Sequence, residues 1–571
     1  MADKDDKLIK KLNAYWEEGK KMRDIASKDW DNNPEMLKGD QLAKNRPAHK
    51  PPAVLNKLRS VSERKIALMT DTKPKFAVTP GKTGTGYPKV SEILRETMDA
   101  WWDDNSIDQK FARGLYYPIN FGIMITKLPW SKKENDIVLR MVDPRHFVFD
   151  PHITDPTELD KAEYVVEEEF PPLAEVKMFN PEKTKELKEF TKPRSLLSQA
   201  RDRFMRGLGG GGAFAKEREQ LTAVPRAWIR HFWLADYSTE KKQVKVFIDK
   251  KEVTEEVLVR KYPGGRYIIL AGNDIILHDE ANPYWDGKHP YDVMDWYVDV
   301  DTVFGVSEMS ALKNPQILYN KIMEVIIENA MLMNNGAWIA DYNAFDVDGW
   351  KQLTNIPGQI IKKRPGTEVR RDTPSGIPAN MLQTATYLEN FIEKEPGISE
   401  LQGKKPGQVQ SSLGVESLQM MAAAMIRIKA RALESLLQRV GQKFISRVIQ
   451  FYTKDRVLYL VGPSGDFKEY NFVRKHFHEA ISAAALKDAH RDFRFRVQPG
   501  SSLSMTKTQK ALMAAELFKI GAVDDQAVLE AIEWPNWKEV LERTKMKIAA
   551  GLMPPPGGAK GKKGATDRKV K

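Results

Sequence analysis

The sequence predicts an α+β fold divided into several packed units, and three observations carry that reading. The chain has 571 residues, more than one hydrophobic core ordinarily serves. Apolar residues at helical spacing and apolar residues in strict alternation both occur within the first 130 residues and recur to the end. With 41% hydrophobic and 29% charged residues, the chain is too apolar for wholesale disorder and too interrupted by charge to cross a bilayer.

The elements follow in order. Leu8, Ile9, Leu12, Trp16, Met22 and Ile25 give an amphipathic helix over 8–27, and Val54, Leu55, Leu58, Val61, Ile66 and Met69 a second one after the Pro51-Pro52 break. Lys75-Phe-Ala-Val-Thr reads as a short strand, 90–105 and 107–115 as helices. Gly122-Ile-Met-Ile-Thr-Lys-Leu and Asp136-Ile-Val-Leu-Arg-Met-Val read as strands across a polar turn. Between 194 and 220 the pattern breaks: six basic residues flank Gly207-Leu-Gly-Gly-Gly-Gly, as in a mobile basic loop. Strands return over 227–277, with Pro263-Gly-Gly as turn chemistry, and are expected to form an antiparallel meander.

A helix is marked at Asn314-Pro315, a cap followed by a residue whose missing N–H costs nothing there. It runs to Met333, about 30 Å, long enough to line part of a wall in an assembly, although on periodicity alone an ordinary core helix is the better reading. Short strands at 337–341, 358–363 and 367–371 form a β insertion, closed by a helix over 381–394. The polar segment 401–414 protrudes as a loop, and the longest helix of the chain follows over 415–452. Its polar positions Arg427, Lys429, Arg431, Arg439, Lys443 and Arg447 suit DNA, a solvated face or an acidic partner subunit alike. Strands over 457–471 and 493–497 precede a helical section over 506–549 and a lysine- and glycine-rich tail expected to be disordered.

Charge and chemistry narrow the function. A formal charge of +12 favours polyanionic neighbours, while the absence of cysteine excludes disulfides, thiol nucleophiles and thiolate metal sites. The charged start, opening directly into a helix, predicts synthesis and retention in a cytoplasm. Gly81-Lys82-Thr83 lacks the earlier glycine of a phosphate loop, Phe76 standing in its place. Gly207 to Gly212 satisfies G-x-G-x-x-G without a preceding strand. Asp143-Pro-Arg-His146 and Asp150-Pro-His152-Ile-Thr-Asp155 bring together ligand types, but Asp-Pro is an ordinary turn starter; His476-Phe-His478, on a possible strand, lacks a third ligand. No catalytic residue, metal site or cofactor is expected.

A series of motifs gives this order of pieces a likeness: Asn45-Arg-Pro, Val142-Asp-Pro-Arg-His-Phe-Val-Phe-Asp-Pro, Phe304-Gly-Val-Ser-Glu, Asn314-Pro-Gln-Ile-Leu-Tyr-Asn, Gly397-Ile-Ser-Glu-Leu-Gln-Gly, Gln498-Pro-Gly-Ser-Ser-Leu-Ser and Leu517-Phe-Lys-Ile-Gly-Ala-Val-Asp. In that series the chain resembles the portal proteins, or head-to-tail connectors, of tailed bacteriophages, the short-tailed type in particular, over almost its whole length. The resemblance implies a wing over 1–303, a stem helix over 304–333, a β-containing clip over 334–380 and a second stem helix over 381–397. It further implies a tunnel loop over 398–414, a second part of the wing over 415–470, a helical crown over 471–550 and the basic tail over 551–571. Gln402, Lys404, Lys405, Gln408 and Gln410 are then expected to face the channel. The implied function is a ring of about a dozen subunits at a unique capsid vertex, through which double-stranded DNA is packaged and ejected. Its implied partners are the terminase large subunit at the clip, scaffold and major capsid protein, and a head-tail adaptor, with no membrane and no hydrolysis by the ring itself. Two rivals remain on sequence grounds: another capsid or tail component without a DNA channel, and a nucleic-acid enzyme of unrecognised type.

Overall fold

The structure, a computed structural model, describes residues 2–42, 52–70, 73–82, 86–179, 181–185, 187, 189, 224–248, 251–334, 337–346, 349–353, 360–372, 376–394, 412–461, 467–482, 485–497, 514, 517–518, 523–531 and 537–549. Helix and strand are mixed throughout, as the patterning predicts. The chain divides into two compact units, each discontinuous in sequence: residues 1–68, 111–129 and 139–436 in the first, residues 69–110, 130–138 and 437–571 in the second.

The first unit is built on an antiparallel sheet of five strands in the order β12 (Ile275–Ala281), β11 (Arg266–Ala271), β8 (Ile229–Leu234), β7 (Tyr164–Glu169) and β6 (Phe147–Phe149). Alternation sends Val148, Tyr164, Val166, Phe232, Ile268 and Leu270 to one face, where Leu12 and Trp16 of helix α1 (Ala2–Ala26) close the core. Each such side chain contributes roughly 1.5–3 kcal/mol by leaving water. Ile25, the last of the apolar positions predicted for α1, is exposed. Three further strands, β13 (Tyr291–Asp295), β2 (Ile123–Lys127) and β5 (Arg140–Val142), form a second antiparallel sheet, and every residue of β2 is buried.

Lys127, at the end of β2, inserts its ammonium between Glu167 and Glu169, the latter at 2.7 Å, while the Tyr291 hydroxyl donates to Glu167 at 2.6 Å. Burial opposes a charge on Lys127, but the two carboxylates outweigh it and raise its pKa. His231 on β8 faces Glu169 at 3.4 Å and meets the Tyr267 hydroxyl at 2.8 Å, so this polar chain, from Lys127 and Tyr291 through the two glutamates, ties five strands together.

The predicted meander over 227–277 is not what forms. The neighbour of β8 is β11, and the chain between them leaves the sheet as a separate two-stranded ribbon, β9 (Thr239–Ile248) with β10 (Lys251–Arg260). β10 is hidden at the level of sequence, because Lys251-Glu-Val-Thr-Glu-Glu-Val mixes charge with β-branched residues. At the start of β2, Gly122 (φ +82°) lies backbone to backbone with Gly305 (φ +61°), and a Cβ on Gly122 would fall 2.6 Å from the Gly305 carbonyl oxygen. Only glycine satisfies both the left-handed backbone and the approach.

In the second unit, β1 (Phe76–Pro80) pairs antiparallel with β18 (Phe493–Val497), which the sequence grouped with the strands over 457–471. Those form their own hairpin, β16 (Arg456–Val461) with β17 (Phe467–Phe472). Trp102 of helix α4 (Tyr87–Asp104) packs on Phe76 at 5.0 Å between ring centroids; Trp101 packs on Phe444 at 4.6 Å and donates its indole N–H to the Ile137 carbonyl at 2.7 Å. Phe444 belongs to the long helix α10 (Ser412–Phe451), which also carries Gln442. That side chain donates to the carbonyls of Phe493 and His490 and accepts from the Phe495 N–H at 3.0 Å, satisfying the edge of β18 that β1 leaves open. Gly441 allows the close fit, since a Cβ there would meet the Phe495 ring at 2.2 Å.

Candidate functional site: two exposed helices and the basic segments

Helix α8 (Glu308–Asn334) is the predicted helix after Phe304-Gly-Val-Ser, but it starts six residues before Asn314. Ser307 caps it, its hydroxyl accepting from the Ser310 N–H at 3.3 Å. Pro315 therefore lies inside the helix, where it removes one backbone donor. Packing carries the helix through that gap, for Met309, Leu312, Gln316 and Tyr319 are all buried around it. Gln316 donates to the Leu55 carbonyl at 2.8 Å and accepts from the Lys57 N–H, and Asn320 donates to Gln41 at 2.7 Å. The first half of α8 is thus pinned by hydrogen bonds to the segment that opens helix α3 (Lys57–Thr70).

Glu308, fully buried, is the centre of a second group. One of its carboxylate oxygens accepts from the Lys65 ammonium at 2.7 Å, the Trp296 indole at 2.6 Å and the Tyr297 hydroxyl at 3.3 Å. Lys429 of α10 lies over the Tyr297 ring, 3.6 Å from its centroid, and donates to the Trp296 carbonyl. Burial, with the Lys65 charge adding to it, pulls Lys429 down to about 8 against the opposing pull of Glu308 and Asp295.

Beyond Asn320 the helix changes character. No residue from 321 to 334 is buried, and Val325, Met331, Leu332 and Met333 are exposed. Helix α9 (Ala379–Lys394), which packs on α8, does not divide along its length but mixes the two: Ala385 and Ile392 are buried while Leu382, Tyr387 and Phe391 are exposed. Lys57 reaches Glu389 at 2.5 Å and Glu393 at 3.7 Å; burial lowers its pKa, but the two acids raise it further than burial lowers it. Between α8 and α9, β14 (Ala337–Ala340) pairs with β15 (Val369–Asp372), and Arg371 lies over the Trp338 ring. The strand expected over 358–363 does not form in its described part: residues 360–363 are irregular, although Ile360 and Tyr342 project into solvent.

Gln402, Lys404, Lys405, Gln408 and Gln410 lie outside the described residues, as do the Gly207 to Gly212 segment and the tail over 551–571. The basic positions of α10 separate into two groups. Arg427 and Arg431 are exposed, whereas Lys443 and Arg447, in the second unit, are buried and cannot serve DNA from where they stand. Periodicity hid this because they alternate with Phe444 and Val448 on a helix that is buried almost all round over 440–449.

The sequence's candidate ligands are turn residues. Asp143 caps a short 3-10 turn and holds Arg145 with both carboxylate oxygens, and Asp155 caps another through the Thr157 N–H at 2.7 Å. Asp150 accepts from His152 and from the Glu163 N–H, and these donors hold it below the usual carboxylate range against its burial. His476 and His478 lie on a short helix, α11 (Lys475–Ala480), not a strand, and positions two apart on a helix do not face each other. Lys82 pairs with Asp492 at 2.8 Å. Among the described residues, no three His, Cys, Asp or Glu side chains are grouped to hold a metal, and no helix is long and apolar enough to cross a membrane.

A helix pair with bare apolar surface and a small β module between its members are the features of this region. Residues 9–567 match the family described as Phage P22-like portal protein, and the chain belongs to that family. It is a bacteriophage portal protein, a head-tail connector of the short-tailed type that serves DNA packaging at a capsid vertex. No curated protein matches the chain.

Proposed function

We propose that the chain is one subunit of a closed ring of about a dozen copies, whose central channel passes double-stranded DNA. The observation that carries this reading is the bare second half of α8 together with the exposed apolar residues of α9. Val325, Met331, Leu332, Met333, Leu382 and Tyr387 form apolar surface that a lone subunit leaves in water. A neighbouring copy using the same two helices covers it, and repetition around an axis leaves no end uncovered.

In this reading residues 1–303 and 415–470 make the wing, 304–333 and 381–397 the stem, 334–380 the clip, 398–414 the tunnel loop and 471–550 the crown. The clip docks the terminase large subunit and later a head-tail adaptor, and scaffold and major capsid protein meet the ring during assembly. DNA carries about one negative charge per 1.7 Å of axis, so a passage must attract phosphates without gripping them. Lys404 and Lys405, with Gln402, Gln408 and Gln410, supply sequence-independent contacts of that kind, multiplied by the symmetry.

Top views of the purified protein by negative-stain electron microscopy test the ring, and a closed oligomer without a channel overturns it. Within assembled particles, Lys404→Ala with Lys405→Ala is expected to leave the ring intact and to change DNA packaging or retention; unchanged packaging and retention removes both lysines from the mechanism.

A further inference from the structure

The loop between β13 and α8 is closed at its base by two hydrogen bonds, Tyr297 N–H to Val306 carbonyl at 3.2 Å and Val306 N–H to Tyr297 carbonyl at 2.9 Å. It is stiffened further. Asp299 accepts from the Asp301 N–H at 3.0 Å, Thr302 accepts from the Phe304 N–H, and Phe304 is buried against Trp30 and Phe149. From this anchored frame Val298 and Val300 project into solvent, 75% and 81% exposed, with Asp299 and Asp301 interleaved. Among the described residues, no cation pairs with either aspartate. Two valines held outward on a braced loop bury nothing in the subunit that presents them.

The complementary surface lies on α10. Lys429 turns toward Trp296 and Tyr297, at the root of that same loop. At about 100° per residue, Arg427 and Arg431 then lie on the far side of the helix from Lys429, one turn apart, with Ile428 at their flank. Both arginines are exposed and have no acidic partner among the described residues, and Ile428 is 65% exposed. One side of this region thus offers apolar groups interleaved with acids, and the other an apolar group flanked by bases. Because the two surfaces face different directions on one body, a subunit cannot satisfy them with each other, but a file of identical subunits can.

We propose that the Val298-Asp299-Val300-Asp301 loop of one subunit docks on the Arg427, Ile428 and Arg431 face of its neighbour's α10, a heterologous contact between copies of this chain. The inference rests on the ring reading above and adds to it a second contact, remote in sequence from the bare second half of α8 and the exposed apolar residues of α9. The occupant is a second copy because the charge and apolar pattern that the loop requires is present on the chain itself. Valines seated on Ile428 exclude water from two arginine–aspartate pairs, which strengthens those pairs and fixes the rotational register between subunits.

The test is a charge exchange in the full-length chain, read by native mass spectrometry and electron microscopy. Asp299→Arg with Asp301→Arg, and separately Arg427→Asp with Arg431→Asp, are each expected to raise the concentration for half-assembly by about tenfold or more, since like charges then meet. Combining all four substitutions in one chain is expected to restore most of the assembly. Rings that form unchanged from either double variant overturn the contact while leaving the ring reading standing, as does a failure of the fourfold variant to recover. A closed oligomer without a channel from the unsubstituted chain instead overturns the ring reading.

A second measurement does not depend on variants that assemble poorly. The chain has no cysteine, so Val300→Cys and Ile428→Cys are each the sole thiol of their chain. A mixture of the two in assembled particles is expected to give disulfide-linked dimers between unlike chains. Dimers formed equally within each unmixed chain, or none in the mixture, overturn the proposal.

Discussion

The two halves of α8 are one continuous helix under two different constraints. Up to Asn320 it is held by its own subunit: Met309, Leu312 and Tyr319 are packed, Gln316 and Asn320 are hydrogen-bonded to the segment before α3, and Glu308 neutralises a buried lysine. From Lys321 onward nothing is buried, although Ile322, Val325, Ile326, Ala330 and Met333 continue the apolar pattern without a break. A hydrophobic stripe records what a helix finally packs against, and it does not distinguish a core within the chain from a core made by several chains. The first half is folding information, and in the ring proposed above the second half is assembly information, written in the same code.

The largest effect expected on this division comes from its buried charge. Glu308→Ala leaves the Lys65 ammonium buried without its carboxylate and deprives the Trp296 indole of its acceptor. A loss of about 3–5 kcal/mol is expected, read by urea denaturation of the unassembled subunit. A change below 1 kcal/mol would mean that water reaches this pair and that the first half of α8 is not sealed. Next in size is a matched pair of substitutions on the same helix. Leu312→Ala should cost about 2–5 kcal/mol in subunit stability. Val325→Asp should change that stability by less than about 0.5 kcal/mol, yet on the proposed ring it places a charge between subunits and should abolish ring formation. Equal effects of the two on the melting temperature of the subunit would erase the distinction drawn here.

The smallest effect is a pH dependence at Lys429. Its folded pKa of about 8 lies below the ordinary lysine value of 10.5. Between those values the unfolded chain binds a proton that the folded chain has released, so stability at this group rises with pH across the window and its cost is greatest below about 8. Lys429→Met removes the group, so the stability of the unsubstituted subunit relative to Lys429→Met should climb from pH 8 to pH 10. Parallel pH profiles would show that the ammonium is solvated in the folded subunit.

Much of the helical framework was legible, because long amphipathic stretches leave a dense signal: α4, α9 and α10 lie within three residues of where periodicity put them, while α1 begins six residues before the expected start at Leu8. The start of α8 was missed for a reason local to Pro315. Asn-Pro is a strong cap signature, and only the packing of Met309 and Leu312 shows that the helix began earlier. Strand partners were the least legible part. The pairing of β1 with β18, and the bypass of the β9–β10 ribbon when β11 joins β8, depend on contacts between distant segments that alternation cannot encode. The same holds for the candidate site. The family order of motifs was readable, but the Glu308–Lys65 pair joins positions 243 residues apart, and the burial of Lys443 and Arg447 follows from tertiary packing that a helical wheel does not contain.

The pairing of β1 with β18 also sets a timetable. At about 5–20 residues per second, a ribosome takes roughly 20–80 s to travel from the codons of one strand to those of the other. For most of that interval Phe76, Trp101 and Trp102 wait for Phe444 and Phe495, the rings that Trp101 and Phe76 pack against, to be made. The second unit therefore begins as an apolar stretch whose packing partners are made much later. A nascent chain released before residue 493 cannot form that pairing, so completion of the polypeptide acts as a checkpoint for the second unit.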